Sequence, residues 1–260
     1  MRLMRARAAP CATAGRCLAA LCLAGVGILV RGQFAASAQA GPRSPLWTGF
    51  DNVGVVVGTC VDPVLALEVA DLDGDGDLDL VGAEAPGNLA AWQNRGAPLG
   101  QAWTRHAVGN VPQPTRLAIA DLDADGRPDI IVASRRGLTL WRNRGNPFDG
   151  GWPSWQVSDR PIAALAAADV DGDGRLDLIT GGGVPRREEP SEDNRVTVWY
   201  APAAPFAQNW RARDVASAYY TPNGLAVGDL DGDGDLDIVI GTNHAPPVGD
   251  AAHPVPREQW

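Results

Sequence analysis

After about residue 45 the chain alternates between short apolar runs and short polar ones, with almost no helical spacing. Four apolar runs, LEVA, LAIA, LAAA and LAVG, each lead into an acidic nonapeptide, and LVGA, IIVA, LITG or IVIG follows it. Their length and β-branched content predict strands, so each nonapeptide joins two strands. Alternating segments ending in Trp come next: LAAWQNRG at 89–96, LTLWRNRG at 138–145 and VTVWYAPA at 196–203. Asn94-Arg95-Gly96 and Asn143-Arg144-Gly145 read as turns. A Pro-Leu or Pro-Phe pair then precedes another Trp (Pro98 to Trp103, Pro147 to Trp152, Pro205 to Trp210), and WTRHAV, WQVS and WRARDV supply a fourth strand. The unit recurs with nonapeptides starting at 71, 121, 169 and 229. Four antiparallel strands at a period near 50 residues predict an all-β protein, a β-propeller of four-stranded blades. The longer third interval comes from VPRREEPSEDNR at 184–195, a charged, proline-bearing run expected to form an exposed hairpin loop.

The nonapeptides are DLDGDGDLD at 71–79, DLDADGRPD at 121–129, DVDGDGRLD at 169–177 and DLDGDGDLD at 229–237. Each carries Asp at positions 1, 3, 5 and 9 and Gly at position 6. Alternate residues of a tight loop converge, so Asp71, Asp73 and Asp75 point at one ion and Asp79 closes the cage. The same holds for Asp121, Asp123, Asp125 and Asp129, for Asp169, Asp171, Asp173 and Asp177, and for Asp229, Asp231, Asp233 and Asp237. Position 7 offers its backbone carbonyl, which leaves its side chain free to vary as Asp77, Arg127, Arg175 and Asp235. Six to eight oxygen ligands in a flexible loop suit Ca²⁺, giving up to four ions. No Cys or His lies in a loop, which disfavours zinc and copper. An EF-hand needs Glu at position 12 between helices; position 12 here is Gly82, Val132, Thr180 and Ile240.

With these loops, the preceding Leu-x-x-[AG] and the following W-x-N-x-G, the chain resembles the FG-GAP/VCBS repeat proteins, which include the propellers of integrin α subunits. The resemblance covers roughly 45–260. It implies calcium in the loop between the first two strands of every blade, all on one face. It also implies ligand binding on the opposite face, where the 184–195 insertion would lie. The strict F-G…G-A-P signature survives only as Gly82-Ala83-Glu84-Ala85-Pro86, so no integrin ligand site carries over.

Residues 1–40 have the layout of a secretory signal peptide, which leaves 41–260 as the repeat domain. Arg2, Arg5, Arg7 and Arg16 precede an apolar run, Cys17–Val30, and AASAQA offers cleavage after Ala40. The run is too short for an ordinary membrane span; retention as an anchor is the alternative. Three of the four cysteines fall in this segment, leaving Cys60 without an intrachain partner and expected as a small buried hydrophobe. Bound calcium would then supply the stapling that disulfides give other secreted domains. Removing 1–40 leaves 17 arginines against 31 acids, a net charge of −14, and 18 of those acids sit in the four loops. The acidity is therefore metal-site chemistry, and without a basic patch nucleic acid is excluded as a partner.

Catalytic constellations are sparse. His106, His244 and His253 have no metal-ligand spacing, and no G-x-S-x-G or phosphate-binding loop is present. Glu84, Glu188, Glu189 and Glu192 are expected as solvated loop residues, and the in-register Trp92, Trp141, Trp199, Trp103, Trp152 and Trp210 as packing between blades. The expected function is non-catalytic: a calcium-stabilised module presenting loops to an extracellular protein or carbohydrate. A polysaccharide lyase or hydrolase on the same scaffold is the alternative. A third reading is part of a larger propeller protein, since HAPPVGDAAHPVPREQW follows the last expected strand and Trp260 falls where the next unit's Trp belongs.

Overall fold

The computed structural model describes residues 2–6, 50–56, 62–96, 103–183, 194–217 and 221–242, and these contain no helix. Most of the expected signal segment lies outside them, as do Cys60, His244, His253 and residues 184–193 of the insertion. Strands β1 (Arg2–Ala6) and β2 (Phe50–Val56) form one antiparallel pair.

Three four-stranded antiparallel sheets follow, each with its strands in sequence order. Blade I is β3 (Val64–Ala70), β4 (Asp79–Glu84), β5 (Asn88–Gln93) and β6 (Thr104–Asn110). Blade II is β7 (Pro114–Ala120), β8 (Asp129–Ser134), β9 (Gly137–Trp141) and β10 (Ser154–Ser158). Blade III is β11 (Ile162–Ala168), β12 (Asp177–Gly182), β13 (Arg195–Tyr200) and β14 (Arg211–Ser217). Blade IV, the fourth repeat, contributes β15 (Pro222–Gly228) and β16 (Asp237–Thr242) among the described residues. Inner strands β3, β7, β11 and β15 stand side by side in that order. The Arg116 guanidinium on β7 reaches past β11 to donate to the Asn223 carbonyl at 2.7 Å, tying blade II to blade IV.

Burial explains why the strands read as they do. Every residue of β4 and of β8 is buried, including Asp79, Glu84, Asp129 and Ser134 at their ends, because each of these second strands lies between the first and third strands of its sheet. β3 instead alternates half-buried with exposed residues, the pattern of a sheet covered on one face. Outer strand β14 is mostly exposed.

The core lies between blades. One apolar cluster joins blades I and II through Val81, Leu89, Val108, Leu117, Ile130 and Trp141. A second joins II and III through Ile131, Leu140, Leu165, Leu178 and Trp199, and a third joins III and IV through Ile179, Val198 and Leu225. Trp141 and Trp199 thus pack onto the preceding blade, as the sequence suggests, whereas Trp92 and Trp103 depart from that expectation and pack with Leu80 and Ala90 inside blade I. Trp152 and Trp210 are also buried, and their indole N–H groups donate to the Pro147 and Pro205 carbonyls at 2.9 and 3.0 Å. That bond is the physical content of the Pro-to-Trp spacing. Glu84 departs from expectation: it is fully buried at the end of β4, not solvated. Arg105 pairs with its carboxylate at 2.7 Å while lying over the Trp92 ring, which lets a charge stand at a strand end among apolar neighbours.

Candidate functional site

The nonapeptides connect the first and second strands of every repeat, and their backbones follow one plan. Gly76, Gly126, Gly174 and Gly234 at position 6 have φ between 83° and 97°, a region costly for a residue with a Cβ. Position 4 is also left-handed, including Ala124 at φ 57°. This second turn requirement is visible in the sequence as Gly, Ala, Gly, Gly, a signal beyond the position-6 glycine.

Each Asp has a distinct place. The position-1 carboxylates, Asp71, Asp121, Asp169 and Asp229, accept the position-6 amides at 2.8–3.1 Å and so hold the turn shut. Asp75, Asp125, Asp173 and Asp233 accept the amides of Asp77, Arg127, Arg175 and Asp235 at 2.9–3.0 Å. At position 9, Asp79, Asp129 and Asp177 are buried, whereas Asp237 is not. All four accept the amide of position 2 at 2.9–3.2 Å. The other oxygens of Asp79, Asp129 and Asp177 accept the amides of Asn94, Asn143 and Ala201 at 2.7–2.8 Å, tying each loop to the segment that leaves its blade's third strand.

Positions 1, 3 and 9 converge. In the triads Asp71/Asp73/Asp79, Asp121/Asp123/Asp129, Asp169/Asp171/Asp177 and Asp229/Asp231/Asp237, one oxygen per residue lies within 4.8 Å of the others. At Ca–O distances of about 2.3–2.6 Å, oxygens on opposite sides of one ion stand roughly 5 Å apart, so each triad fits a single Ca²⁺ shell. Amide bonds to these carboxylates leave lone pairs for a metal. The side-chain partners of positions 3 and 5 differ between blades. Arg127 pairs with Asp125 at 3.1 Å, Arg175 pairs with Asp173, and Arg142 reaches Asp123 at 2.6 Å. In blade I Gln93 donates to Asp73 at 3.1 Å instead.

The buried carboxylates are costly when ionised. Burial pushes Asp79 up to about 6, against the amides of Asn94 and Leu72, with Asp73 and Asp75 adding repulsion. Burial likewise raises Asp129 to about 7 and raises Asp177. Two amide bonds only partly offset that desolvation, and a bound cation would reverse it.

Asn94 and Asn143 matter more than turn residues do. Asn143 is buried; its side-chain amide donates to the Pro128 carbonyl at 3.3 Å and to the Leu72 carbonyl of the preceding loop at 2.8 Å, while its oxygen accepts the Gly145 amide. It joins adjacent carboxylate loops. The recurring W-x-N was its sequence signal.

A pocket of about 180 Å³ opens at the end of blade III away from its carboxylate loop. Arg160, Thr180, Gly182, Arg195, Thr197 and Trp199 line it. Asp214 bridges Arg160 and Arg195 at 3.6 and 2.7 Å. The connection bearing the inserted run leaves β12 beside it. Elsewhere, the His106 ring lies 5.0 Å from that of Phe148, tilted by 48°, at the junction of blades I and II.

Stacked four-stranded blades, each opening on a strand-joining carboxylate loop, define a propeller-type repeat protein. The profile described as FG-GAP-like repeat matches residues 71–132 and 121–180, and the FG-GAP repeat profile matches 162–199 and 221–253. Together they span more than half of the 260 residues, and the chain belongs to the FG-GAP repeat family. No curated protein matches it. Among solved structures it is similar to one titled "Crystal structure of BBS1N in complex with ARL6DN, soaked with lead", at 16% identity and a TM-score of 0.43. That match covers 73% of this chain and 56% of the other, so the chain spans just over half the length of that neighbour.

Proposed function

We propose that the chain is a secreted, non-catalytic propeller module, stabilised by up to four Ca²⁺ ions, that presents its loops to an extracellular protein or carbohydrate. The observation that carries the calcium reading is the fourfold convergence of positions 1, 3 and 9 within 4.8 Å, built wholly from carboxylate oxygens. Oxygen-only donors favour a hard cation. The ion's work is structural: it would neutralise carboxylates that burial makes costly and lock the first two strands of each blade. We assign ligand binding to the opposite end of the blades, a reading supported by the pocket between Arg160 and Arg195, whose lining offers cationic and hydroxyl groups beside an indole. Export suits weak calcium modules, which fill only where the ion is plentiful.

Calorimetry of the protein in millimolar Ca²⁺ and after EDTA treatment tests the metal. The melting temperature falls on chelation and recovers on adding Ca²⁺. An unchanged melting temperature sinks the reading.

A further inference from the structure

The carboxylate loops of blades I, II and III meet different side chains from their own third strands. Trp92, Trp141 and Trp199 pair in one register with Leu80, Ile130 and Leu178, so the residues after them, Gln93, Arg142 and Tyr200, occupy one position. In blade I the neutral Gln93 amide donates to Asp73 at 3.1 Å. In blade II a full charge stands there: Arg142 Nη2 lies 2.6 Å from Asp123 Oδ2 and 3.6 Å from Asp125 Oδ2. In blade III Tyr200 carries Arg211 over its ring at 4.4 Å.

Arg142 is held in place. Its backbone amide donates to the Pro153 carbonyl at 2.9 Å, and its guanidinium lies over the Phe206 ring of blade III at 5.6 Å. The Asp123 side chain is 11% exposed, and its second oxygen, Oδ1, is buried with no hydrogen-bond partner. One oxygen of the position-3 carboxylate is thus covered by a cation of the chain itself, and the other has no donor. Arg127 pairs with Asp125 of the same loop, and Arg175 with Asp173 in blade III. Among the described residues, the loop of blade I holds five Asp and no paired guanidinium, that of blade III four and one, and that of blade II four and two.

We propose that Arg142 sets the calcium affinity of blade II: it is a resident cation that makes this loop the weakest of the three for Ca²⁺ and partly takes the ion's place when none is bound. The inference rests on the calcium reading above. A guanidinium on one oxygen of a ligating carboxylate fixes that carboxylate's orientation, and its charge opposes a divalent ion on the other oxygen. The loops therefore rank in affinity as blade I, blade III, blade II. As Ca²⁺ falls, blade II empties before the other two, and its position-3 carboxylate keeps a counter-charge when it does.

The test is calcium titration calorimetry of the whole chain, with thermal unfolding in EDTA and in saturating Ca²⁺, on the wild type, Arg142→Gln and Arg142→Lys. Gln is the residue blade I uses, and Lys keeps the charge. The wild type takes up Ca²⁺ in steps of unequal affinity. Arg142→Gln tightens one step at least about tenfold, roughly the repulsion between a unit charge and a divalent ion one carboxylate away at near-aqueous dielectric. Arg142→Lys leaves that step within about threefold of the wild type. The reciprocal change, Gln93→Arg in blade I, weakens one step by a similar factor and does not depend on how well a blade II variant folds. In EDTA Arg142→Gln melts below the wild type, because Asp123 has lost its counter-charge, yet it gains more on adding Ca²⁺. If the arginine only packs on Phe206, its loss lowers the melting temperature equally in both conditions and leaves the isotherm unmoved; that result overturns the proposal. A step that Gln and Lys shift alike, or a Gln93→Arg isotherm like the wild type's, also overturns it and leaves the calcium reading standing. A wild type that binds no Ca²⁺ overturns both.

Discussion

Gly109 on β6 is where blade II presses hardest on blade I, and adding one carbon there tests how the blades are held together. A Cβ at this position would lie 2.1, 2.4 and 2.8 Å from the Cη2, Cζ3 and Cζ2 atoms of Trp141. Ordinary carbon–carbon contact is about 3.5–4.0 Å, so the ring or the blade must retreat by roughly 1.5 Å. Trp141 is buried among Val81, Leu89, Val108 and Val132, and its ring has no open side to move into. Overpacking of this kind costs about 1–3 kcal/mol, and a blade shift that also loosened neighbouring contacts would place Gly109→Ala at the upper end. Trp141→Phe removes the ring atoms that clash and costs about 1–3 kcal/mol as a cavity. The two changes interact: the double variant should be at least about 1 kcal/mol more stable than the sum of the single losses predicts. Urea denaturation of all four proteins at saturating Ca²⁺, comparing midpoints at constant slope, measures this. Losses that add within about 0.5 kcal/mol would show that the indole does not meet Gly109, and would refute the blade packing described here.

Glu68 supplies a pH dependence. Burial of β3 against blade II pushes its carboxyl up to about 7 from 4.5, so the folded state holds the proton more tightly than the unfolded one. Stability from this group is complete below about pH 4.5 and is lost as pH rises through 7. Discounted for partial exposure, Glu68→Gln should gain about 1–2 kcal/mol at pH 8 and nothing at pH 4.5; an equal effect at both, by thermal denaturation, contradicts the assignment. Asn143→Ala strands the Leu72 carbonyl and frees the Gly145 turn, with an expected loss of about 1–3 kcal/mol in chemical denaturation; a change under about 0.5 would remove its bridging role. Ala124→Gly relieves a left-handed alanine and should stabilise by about 0.5–1 kcal/mol, whereas a lower melting temperature would mean that φ at this position is not strained.

The strands and loops were legible because their determinants are local. A turn that folds position 1 back on the position-6 amide needs its Asp and Gly a fixed number of residues apart, and the chain writes that spacing four times. Roles that depend on distant partners were not legible. Asn143 reads as a turn residue from its neighbours, and only the fold brings the Leu72 carbonyl, 71 residues earlier, to its side chain. Glu84 reads as solvated because charge favours water, until Arg105 is placed across two strands from it.

Position 9 shows how the two kinds of information meet. The sequence presents it as one more ligand, yet Asp79, Asp129 and Asp177 each accept two backbone amides, one inside the loop and one from the segment leaving the blade's third strand. Those bonds carry strand pairing from loop to sheet, so this Asp closes both the loop and the blade. Burial raises its pKa because a position suited to linking strands is a poor one for a bare charge. Asp237 keeps the loop amide but is not buried, and no third strand of its blade stands beside it among the described residues. The electrostatic demand for a cation and the completion of a blade are therefore linked: where the segment leaving the third strand lies on the position-9 carboxylate, that group is buried, its pKa rises, and a bound ion is worth more.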